Sequence, residues 1–307
     1  MAVEHEPVLL EAVVEYFLPL PPAGLICDAT LGGGGHTARF LELCSSCRIV
    51  GIDADPRMLR QARTRLADEP RVEFVHGWFD EVLRDRRGFD RILVDLGISM
   101  VHLKSGDRGF SMLAEEPLDM RLDPSGDDES AADLIQRYAE RELADTIYRY
   151  GEERYSRRIA AAIVRERHRG IDTTTELAEI IRRSVPPAYR HGRIHPATRT
   201  FQALRIAVNH ELDRLERVIP RAATALRPGG RLGIISFHSL EDRIVKHRFR
   251  EIAGARHSTE RVNEPILEEG RFRVVTRKPV TPEESEISRN PASRSAKLRV
   301  LERLEEG

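Results

Sequence analysis

The chain has 307 residues, of which 40% are apolar and 32% are charged, and its formal net charge is −1. This is the composition of a globular protein. The near-zero net charge excludes binding of nucleic acid through the overall charge of the protein, so any surface that binds nucleic acid must be a local basic patch. No apolar run reaches membrane-spanning length, and the first residues carry acids where a signal peptide is basic. We therefore expect a cytoplasmic protein without a membrane partner.

The first hundred residues alternate between strand-like and helix-like patterns. Apolar runs predict strands at 24–30, 48–55, 71–77 and 89–97, and helical spacing predicts helices between them. Because this alternation is typical of β-α-β units, we predict a parallel α/β sheet covered by helices on both faces.

The middle of the chain, from about residue 104 to 215, shows no convincing strand pattern. A loop rich in Gly, Pro and Asp leads into helices predicted at about 130–138, 140–150, 153–169, 174–184 and from 196 onward. The strand pattern returns at 227–239, where Pro-Gly-Gly ends a helix, and a helix and two closing strands follow. We predict an α/β domain made of residues 1–103 and 215–307, with an all-helical domain at 104–214 inserted into it.

Four consecutive glycines, residues 32–35, follow the first predicted strand. A glycine loop at this place lets a ligand approach bare backbone, and its usual ligands are phosphates or a nucleoside. Gly-His-Thr follows instead of the Gly-Lys-Ser/Thr of a P-loop, and the spacing does not match G-x-G-x-x-G cleanly. A nicotinamide-dependent oxidoreductase stays open as an alternative.

Acidic residues end three of the predicted parallel strands, namely Asp28, Asp53 and Asp95. Asp53 lies about 20 residues beyond the loop, where an acid commonly binds ribose hydroxyls, and Asp28 can hold the loop or meet a ligand amine. Three acids in one crevice suit a cationic nucleoside better than a pyrophosphate. S-adenosylmethionine (SAM) is such a ligand, and Phe79, after the third strand, could pack on its adenine or belong to the core.

Several blocks of sequence together resemble one protein family. They are DATLGGGGHT, GIDADP, HGWF, LVDLGIS, DRGFSM, PLDMRLDP, GEERYSRRIAAAIV, HPATRTFQALRIAVN and IISFHSLEDRIVK. From His5 to Val300 the chain is similar to the bacterial small-subunit ribosomal RNA cytosine-N4 methyltransferases, the MraW/RsmH family. The resemblance implies a Rossmann-like, SAM-dependent methyltransferase sheet with a helical insertion, acting on a cytosine of 16S rRNA in the decoding centre of the small ribosomal subunit.

The resemblance also implies the cofactor-binding residues, which are Gly34, Gly35, His36, Asp53, Phe79 and Asp95. After the fourth strand the chain departs from the family, because Met100, His102 and Lys104 replace a serine, a glutamine and an acid. His102 can still offer one hydrogen-bonding group to SAM, so we include it among these residues. The departure keeps a non-catalytic protein that binds SAM or RNA as a second alternative.

The positions of the cysteines bear on which atom of cytosine is methylated. Transfer to C5 requires a cysteine nucleophile, and neither Cys27 nor the C-x-x-C pair at 44–47 lies near the fourth strand. The pair lacks the second pair of a zinc site, so we predict no metal. Transfer to an exocyclic amine needs positioning and a proton acceptor instead. We predict that Asp95 faces SAM and that Ser99 and His238 face the base.

A basic segment in the inserted domain, residues 182–210, has no acid. Its basic residues are Arg182, Arg183, Arg190, Arg193, Arg199, Arg205, His191, His195 and His210. It predicts a phosphate-contacting surface that holds a flipped cytosine, with His195 and Arg199 binding substrate. Asp119 and Arg121 could line the base pocket, or their segment could be a structural elbow. The sequence is silent on oligomeric state, with a homodimer as one option.

Overall fold

The computed structural model describes residues 6–305 except 68, 105–106, 127, 193 and 255–269. The chain divides into two compact units. Residues 1–97 and 212–307 form the first, which we call the sheet unit, and residues 98–211 form the second, the helical unit. The insertion predicted at 104–214 is thus placed at 98–211 by this division.

The sheet unit contains a seven-stranded sheet in the order β3-β2-β1-β4-β5-β7-β6. Its strands are β1 (Leu25–Asp28), β2 (Arg48–Asp53), β3 (Val72–His76), β4 (Phe89–Asp95), β5 (Leu226–Ser236), β6 (Phe272–Val274) and β7 (Lys297–Arg303). The first five strands in this order pair in parallel, and β7 is antiparallel to both of its neighbours.

Helices occur in both units and are numbered along the chain. They are α1 (Leu10–Phe17), α2 (Gly35–Leu43), α3 (Pro56–Arg65), α4 (Phe79–Val82), α5 (Met100–Lys104), α6 (Ala131–Arg137), α7 (Glu140–Gly151), α8 (Ser156–Glu166), α9 (Thr174–Ser184), α10 (Pro187–Arg190), α11 (Thr198–Asn209), α12 (Glu211–Ala225), α13 (Ser239–Gly254) and α14 (Glu284–Arg289). Short 3₁₀ turns cover Arg167–Arg169 and Pro291–Ser295. Among the described residues, no helix combines the length and the apolarity that a bilayer crossing needs.

The sheet is buried on both faces, as its continuous apolar strands predict. Neighbouring residues of a strand point to opposite faces, and Ile26 and Cys27 of β1 accordingly belong to two different cores. The core that contains Cys27 also holds Val218 of α12, whereas the core that contains Ile26 holds Phe40 of α2. The predicted α/β class is therefore confirmed.

One detail of the strand prediction is wrong. Pro-Gly-Gly does not separate a helix from β5, because α12 ends at Ala225 and β5 begins at Leu226. The pairing with β4 jumps from Leu226 to Arg231, so the Pro-Gly-Gly residues form an irregularity inside the strand. Such a bulge accommodates a proline and a glycine at φ +73° that regular pairing would not.

The helical unit has its own apolar core, built from Phe110, Leu118 and residues of α6 to α9 and α11. Capping boxes begin two of its helices, with Ser130 and Asp133 at α6 and Thr173 and Glu176 at α9. Within the described part of this unit, extended pairing is limited to one isolated bridge between Pro117 and Thr173.

Candidate active site

The predicted acids lie at one edge of the sheet unit. Asp28, Asp53 and Asp95 are the last residues of β1, β2 and β4, and β1 lies between the other two strands. The strands that follow β1 in the chain, β2 and β3, lie on one side of it in the sheet, and β4 and β5 lie on the other side. The order of the strands therefore reverses at β1. Ligands of open α/β sheets bind outside the carboxyl ends of the strands at such a switch point.

The glycine loop between β1 and α2 has reasons for glycine that lie in the fold itself. Gly34 is the N-cap of α2 with φ +76°, a left-handed conformation that glycine adopts without strain. A Cβ on Gly35 would lie 2.4 Å from Cγ of Pro7. The group that approaches this backbone is therefore a proline of the same chain, and SAM binding by Gly34 and Gly35 stays a prediction.

Asp53 holds the glycine loop against the end of β2. Its Oδ2 accepts a hydrogen bond from the N–H of Gly32 at 2.7 Å, and its Oδ1 accepts one from the N–H of Asp55 at 2.8 Å. Asp55 in turn caps α3 by accepting from the N–H of Arg57 at 2.8 Å. A carboxylate has further lone pairs, so Asp53 can orient the loop and still accept hydroxyl groups.

Asp28 is buried, with 1% of the residue exposed. Its Oδ2 accepts a hydrogen bond from the hydroxyl of Thr37 at 2.7 Å, whereas its Oδ1 is buried without a hydrogen-bond partner among the described residues. Burial raises the pKa of Asp28 to about 6; the Thr37 hydrogen bond opposes this rise and the charge of Asp53 adds to it.

Asp95 repeats this pattern at the end of β4. Its N–H donates to the hydroxyl of Thr30 at 2.6 Å, and its Oδ2 lies 4.0 Å from Nδ1 of His36. Although a fifth of the side chain is exposed, Oδ1 is buried and has no hydrogen-bond partner in the described structure. Burial, with the charges of Asp28 and Glu241, raises the pKa of Asp95 well above its usual range.

His36 is positioned by the first residues of the chain. Its Nε2 lies 3.1 Å from the carbonyl oxygen of Val8, and a carbonyl can only accept, so Nε2 carries a proton and donates it to this oxygen. The ring is buried, with Nδ1 toward Asp95. His36 therefore lies beside Asp95, one of the two acids that have a buried carboxylate oxygen without a hydrogen-bond partner in the described structure.

The raised pKa of Asp28 predicts a pH-dependent cost to the fold. An aspartate ionises near 3.8 in the unfolded chain and near 6 here, so between these values the folded state binds more protons and loses stability as pH rises. Asp28→Asn is therefore expected to raise the free energy of unfolding by about 1–3 kcal/mol at pH 7.5 and to leave it unchanged below pH 4. Urea denaturation of the ligand-free protein at both pH values measures this, and an equal effect at both would contradict the assignment.

Phe79 and Asp80 begin α4, directly after β3. Phe79 is half-buried and packs against the core that contains Cys27, so a role at an adenine stays a prediction. Asp80 is a residue that sequence reasoning missed: it is 1% exposed and is bound by arginines of α12. The available signal was the spacing of Arg214, Arg217 and Arg221, which places three cations on one helical face.

His238 is engaged locally after β5. Its Nε2 lies 3.1 Å from Oε1 of Glu241, whose Oε2 accepts the backbone N–H groups of Phe237 at 2.8 Å and His238 at 3.3 Å. The backbone contacts shape the turn before α13, whereas Nε2 is buried without a hydrogen-bond partner among the described residues. A catalytic role for His238 stays a prediction.

Ser99 and His102 belong to the helical unit, where Ser99 directly precedes α5 and His102 lies within it. The hydroxyl of Ser99 accepts from the N–H of Val101 at 3.2 Å, and the N–H of Ser99 donates to Nδ1 of His102 at 3.1 Å. His102 is buried, with its ring 5.4 Å from that of Phe110. One of its nitrogens is thus used inside the helical unit.

Asp119 and Arg121 bind each other. The guanidinium of Arg121 donates to both oxygens of Asp119 at 2.8 and 2.9 Å, and also to the carbonyl of Asp128 at 3.2 Å. Burial alone would raise the pKa of Asp119, but the hydrogen bonds and charge of Arg121 hold it below its usual range. The geometry favours the structural elbow for this segment over a polar pocket wall.

The basic segment has fewer unpaired positive charges than its sequence indicates. Acids just outside it neutralise part of its charge: Arg182 and Arg183 pair with Glu179, and Arg205 pairs with Glu211. Arg190 donates to backbone carbonyls, His195 accepts from the N–H of Ala197 at 3.2 Å, and Arg193 lies outside the described residues. Arg199 has no ion-pair partner in the described part of the chain and lines a groove.

Comparisons with known proteins bear on what this site does. The model of the MraW methylase family matches residues 2–304. A ribosomal RNA small subunit methyltransferase H from Treponema denticola is 48% identical over 310 residues, which cover 98% of each chain. One from Nostoc punctiforme is 48% identical over 305 residues, covering 99% of this chain and 95% of its own. An rRNA methylase structure from Streptococcus thermophilus aligns with 13% identity and a TM-score of 0.36, over 93% of this chain and 90% of its own.

Proposed function

Because the chain belongs to the MraW methylase family, we propose that it transfers a methyl group from SAM to the exocyclic N4 of a cytosine in 16S rRNA, at the decoding centre of the small subunit. The names of its relatives support a small-subunit ribosomal RNA as the substrate. A nicotinamide-dependent oxidoreductase is set aside, because a methylase family accounts for the same glycine loop and strand-end acids.

One observation carries the cofactor assignment: two buried carboxylate oxygens, on Asp28 and Asp95, have no hydrogen-bond partner among the described residues. A buried carboxylate without a partner is costly, and a cation offsets that cost. SAM carries a sulfonium and an amine, and when bound it supplies an electrophilic methyl group. Asp28 and Asp95 would hold its charged part, and Asp53, already fixed on Gly32, would accept its ribose hydroxyls.

The cysteines support transfer to an amine rather than to carbon. Burial raises the pKa of the Cys27 thiol well above its usual range, and it raises that of Cys47 to about 12. Both side chains stay protonated at neutral pH, so neither offers the thiolate that attack on the cytosine ring requires. Transfer to N4 needs no covalent step with the protein.

The proton released by N4 needs an acceptor once the N–CH₃ bond has formed and the C–S bond has broken. Asp95 is suited to this, because its burial favours the protonated carboxyl and the cationic sulfonium is then gone. With SAM bound, the same carboxylate would stabilise its positive charge before transfer. Asp95 thus has a role on each side of the reaction in this proposal.

Mass spectrometry of ribosomal RNA nucleosides tests the function. Small subunits, or their RNA, from cells that lack this protein are incubated with the protein and SAM, and digested to nucleosides. We expect N4-methylcytidine in the complete reaction and none without protein. The appearance of 5-methylcytidine would overturn the target atom, and the absence of any methylated nucleoside on either substrate would overturn the enzyme assignment.

A further inference from the structure

A groove with a volume of about 450 Å³ lies entirely within the helical unit. Residues that line it include Arg154, Tyr155, Pro186, Tyr189, Ile194 and Arg199. Its volume falls within the range of sites for small organic ligands, at the size of one nucleotide. Arg199 was predicted to bind substrate, and Pro186, Tyr189 and Ile194 lie in the same basic segment, whereas Arg154 and Tyr155 come from a separate part of the sequence.

Two tyrosine rings form a fixed aromatic surface in this groove. The centroids of Tyr155 and Tyr189 are 5.0 Å apart in an edge-to-face arrangement. Fully buried Glu153 holds both residues: its Oε2 accepts the hydroxyl of Tyr189 at 2.5 Å, and its Oε1 accepts the N–H of Tyr155 at 2.8 Å. The rings are therefore oriented before any ligand arrives, and both remain partly exposed.

The groove also carries positive charge that the helical unit does not neutralise. The guanidinium of Arg154 lies 4.8 Å from the ring centroid of Tyr155 and 5.2 Å from that of Tyr189, so it extends the aromatic surface. Within the described residues, neither Arg154 nor Arg199 has a carboxylate partner, whereas nearby Arg182 pairs with Glu179. Stacking surfaces beside free guanidiniums are what single-stranded RNA binds.

We propose that this groove binds one unstacked nucleotide of the RNA substrate, with its base against Tyr155, Tyr189 and Arg154 and a phosphate on Arg199. The inference rests on the proposed function in taking RNA as the substrate. An acidic or aromatic peptide is the competing occupant. RNA is favoured because two tyrosine rings, with the Arg154 guanidinium 4.8 and 5.2 Å from their centroids, offer stacking contacts to the π-rich surface of a base, and the Arg199 guanidinium can pair with its phosphate.

Binding of a labelled single-stranded oligoribonucleotide of about 12 nucleotides, measured without SAM, tests the groove. We expect Arg199→Ala to weaken binding at least tenfold and to reduce the salt dependence by about one phosphate contact. Arg137→Ala is the matched control, since it removes an arginine of the same unit that lies outside the basic segment and is already paired with Glu129, and it should change affinity less than twofold. Equal losses for the two variants would overturn the site in favour of general electrostatic attraction.

Stacking is tested with a second pair of variants. Tyr189→Leu should weaken binding about tenfold, whereas Tyr189→Phe, which keeps the ring but loses the hydroxyl that binds Glu153, should weaken it clearly less. In a series of oligonucleotides that each lack one base, the wild type should lose affinity when the base at one particular position is missing. For that oligonucleotide, Tyr189→Leu should not weaken binding any further. Equal binding by the Leu and Phe variants, or additive losses at every abasic position, would overturn the proposal.

These binding experiments distinguish failure of the groove assignment from failure of the proposed function. If the variants bind the oligonucleotide normally while the wild type methylates ribosomal RNA, the groove assignment fails and the enzyme assignment stands. If the wild type methylates no RNA but the groove variants lose oligonucleotide binding as expected, the enzyme assignment fails alone. Thermal melting of each variant checks that the helical unit remains folded, and Tyr189→Phe and Arg199→Lys supply milder changes if a variant does not fold.

Discussion

Replacing Asp95 with alanine is expected to reduce methyl transfer by about a thousandfold or more while leaving the sheet unit folded. Removal of one preorganised polar group from a catalytic site commonly costs about 10²–10³-fold in rate, and the proposed function assigns Asp95 a role toward both the sulfonium and the released proton. Single-turnover transfer of a labelled methyl group from SAM to small-subunit RNA measures the effect. Turnover within tenfold of the wild type would contradict the role of Asp95.

The stability of the same variant separates chemistry from misfolding. Because burial already disfavours the ionised Asp95 carboxylate, its removal should leave the free energy of unfolding of the ligand-free protein unchanged or higher. Asp95→Asn, which keeps the size of the side chain but not its charge, should lose SAM binding to a similar extent as Asp95→Ala. Asp85→Ala, at an exposed acid of the same unit, is the matched control and should keep both activity and stability.

Replacing Asp80 with alanine is expected to destabilise the sheet unit by about 3–5 kcal/mol, because it removes the buried carboxylate that three arginines share. Glu81, which also binds Arg214 at 3.0 Å, is more than half exposed and offsets little of this loss. Oδ1 of Asp80 lies 3.0 Å from Arg214, and Oδ2 lies 2.8 Å from Arg217 and 3.9 Å from Arg221. Arg214 is itself buried and lies over the ring of Trp78 at 3.9 Å. Urea or thermal unfolding, followed by circular dichroism, measures the loss.

An exposed ion pair of the same unit provides the comparison. Glu73 of β3 binds Arg86 at 2.6 Å, but more than half of its side chain is exposed. Glu73→Ala should therefore cost less than about 1 kcal/mol, since exposed pairs contribute little. If Asp80→Ala and Glu73→Ala had similar small effects, the Asp80 cluster would not anchor α4 to α12. A large effect would also explain how the turn that carries Phe79 keeps its position.

The features that the sequence predicted correctly are those that depend on neighbours along the chain. Buried parallel strands are continuous apolar runs, so the strands that end at Asp28, Asp53 and Asp95 could be placed within a few residues. A run of helical spacing without strand signals likewise led to the insertion predicted at 104–214, which stays a prediction beside the division at 98–211. The edge of the sheet at which the acids meet then follows from the parallel pairing itself.

Tertiary structure decided the features that join distant parts of the chain. Gly35 must be glycine because Pro7 packs on it, Asp80 matters because α12 brings three arginines to it, and the segment 182–210 is partly neutralised by acids at its borders. No local pattern encodes these contacts, because each arises when the hydrophobic cores bring separate elements together. By itself the sequence determined the sheet, the insertion and the residue types at the strand ends; packing alone decided which carboxylates stay buried without a partner and which arginines remain free to bind.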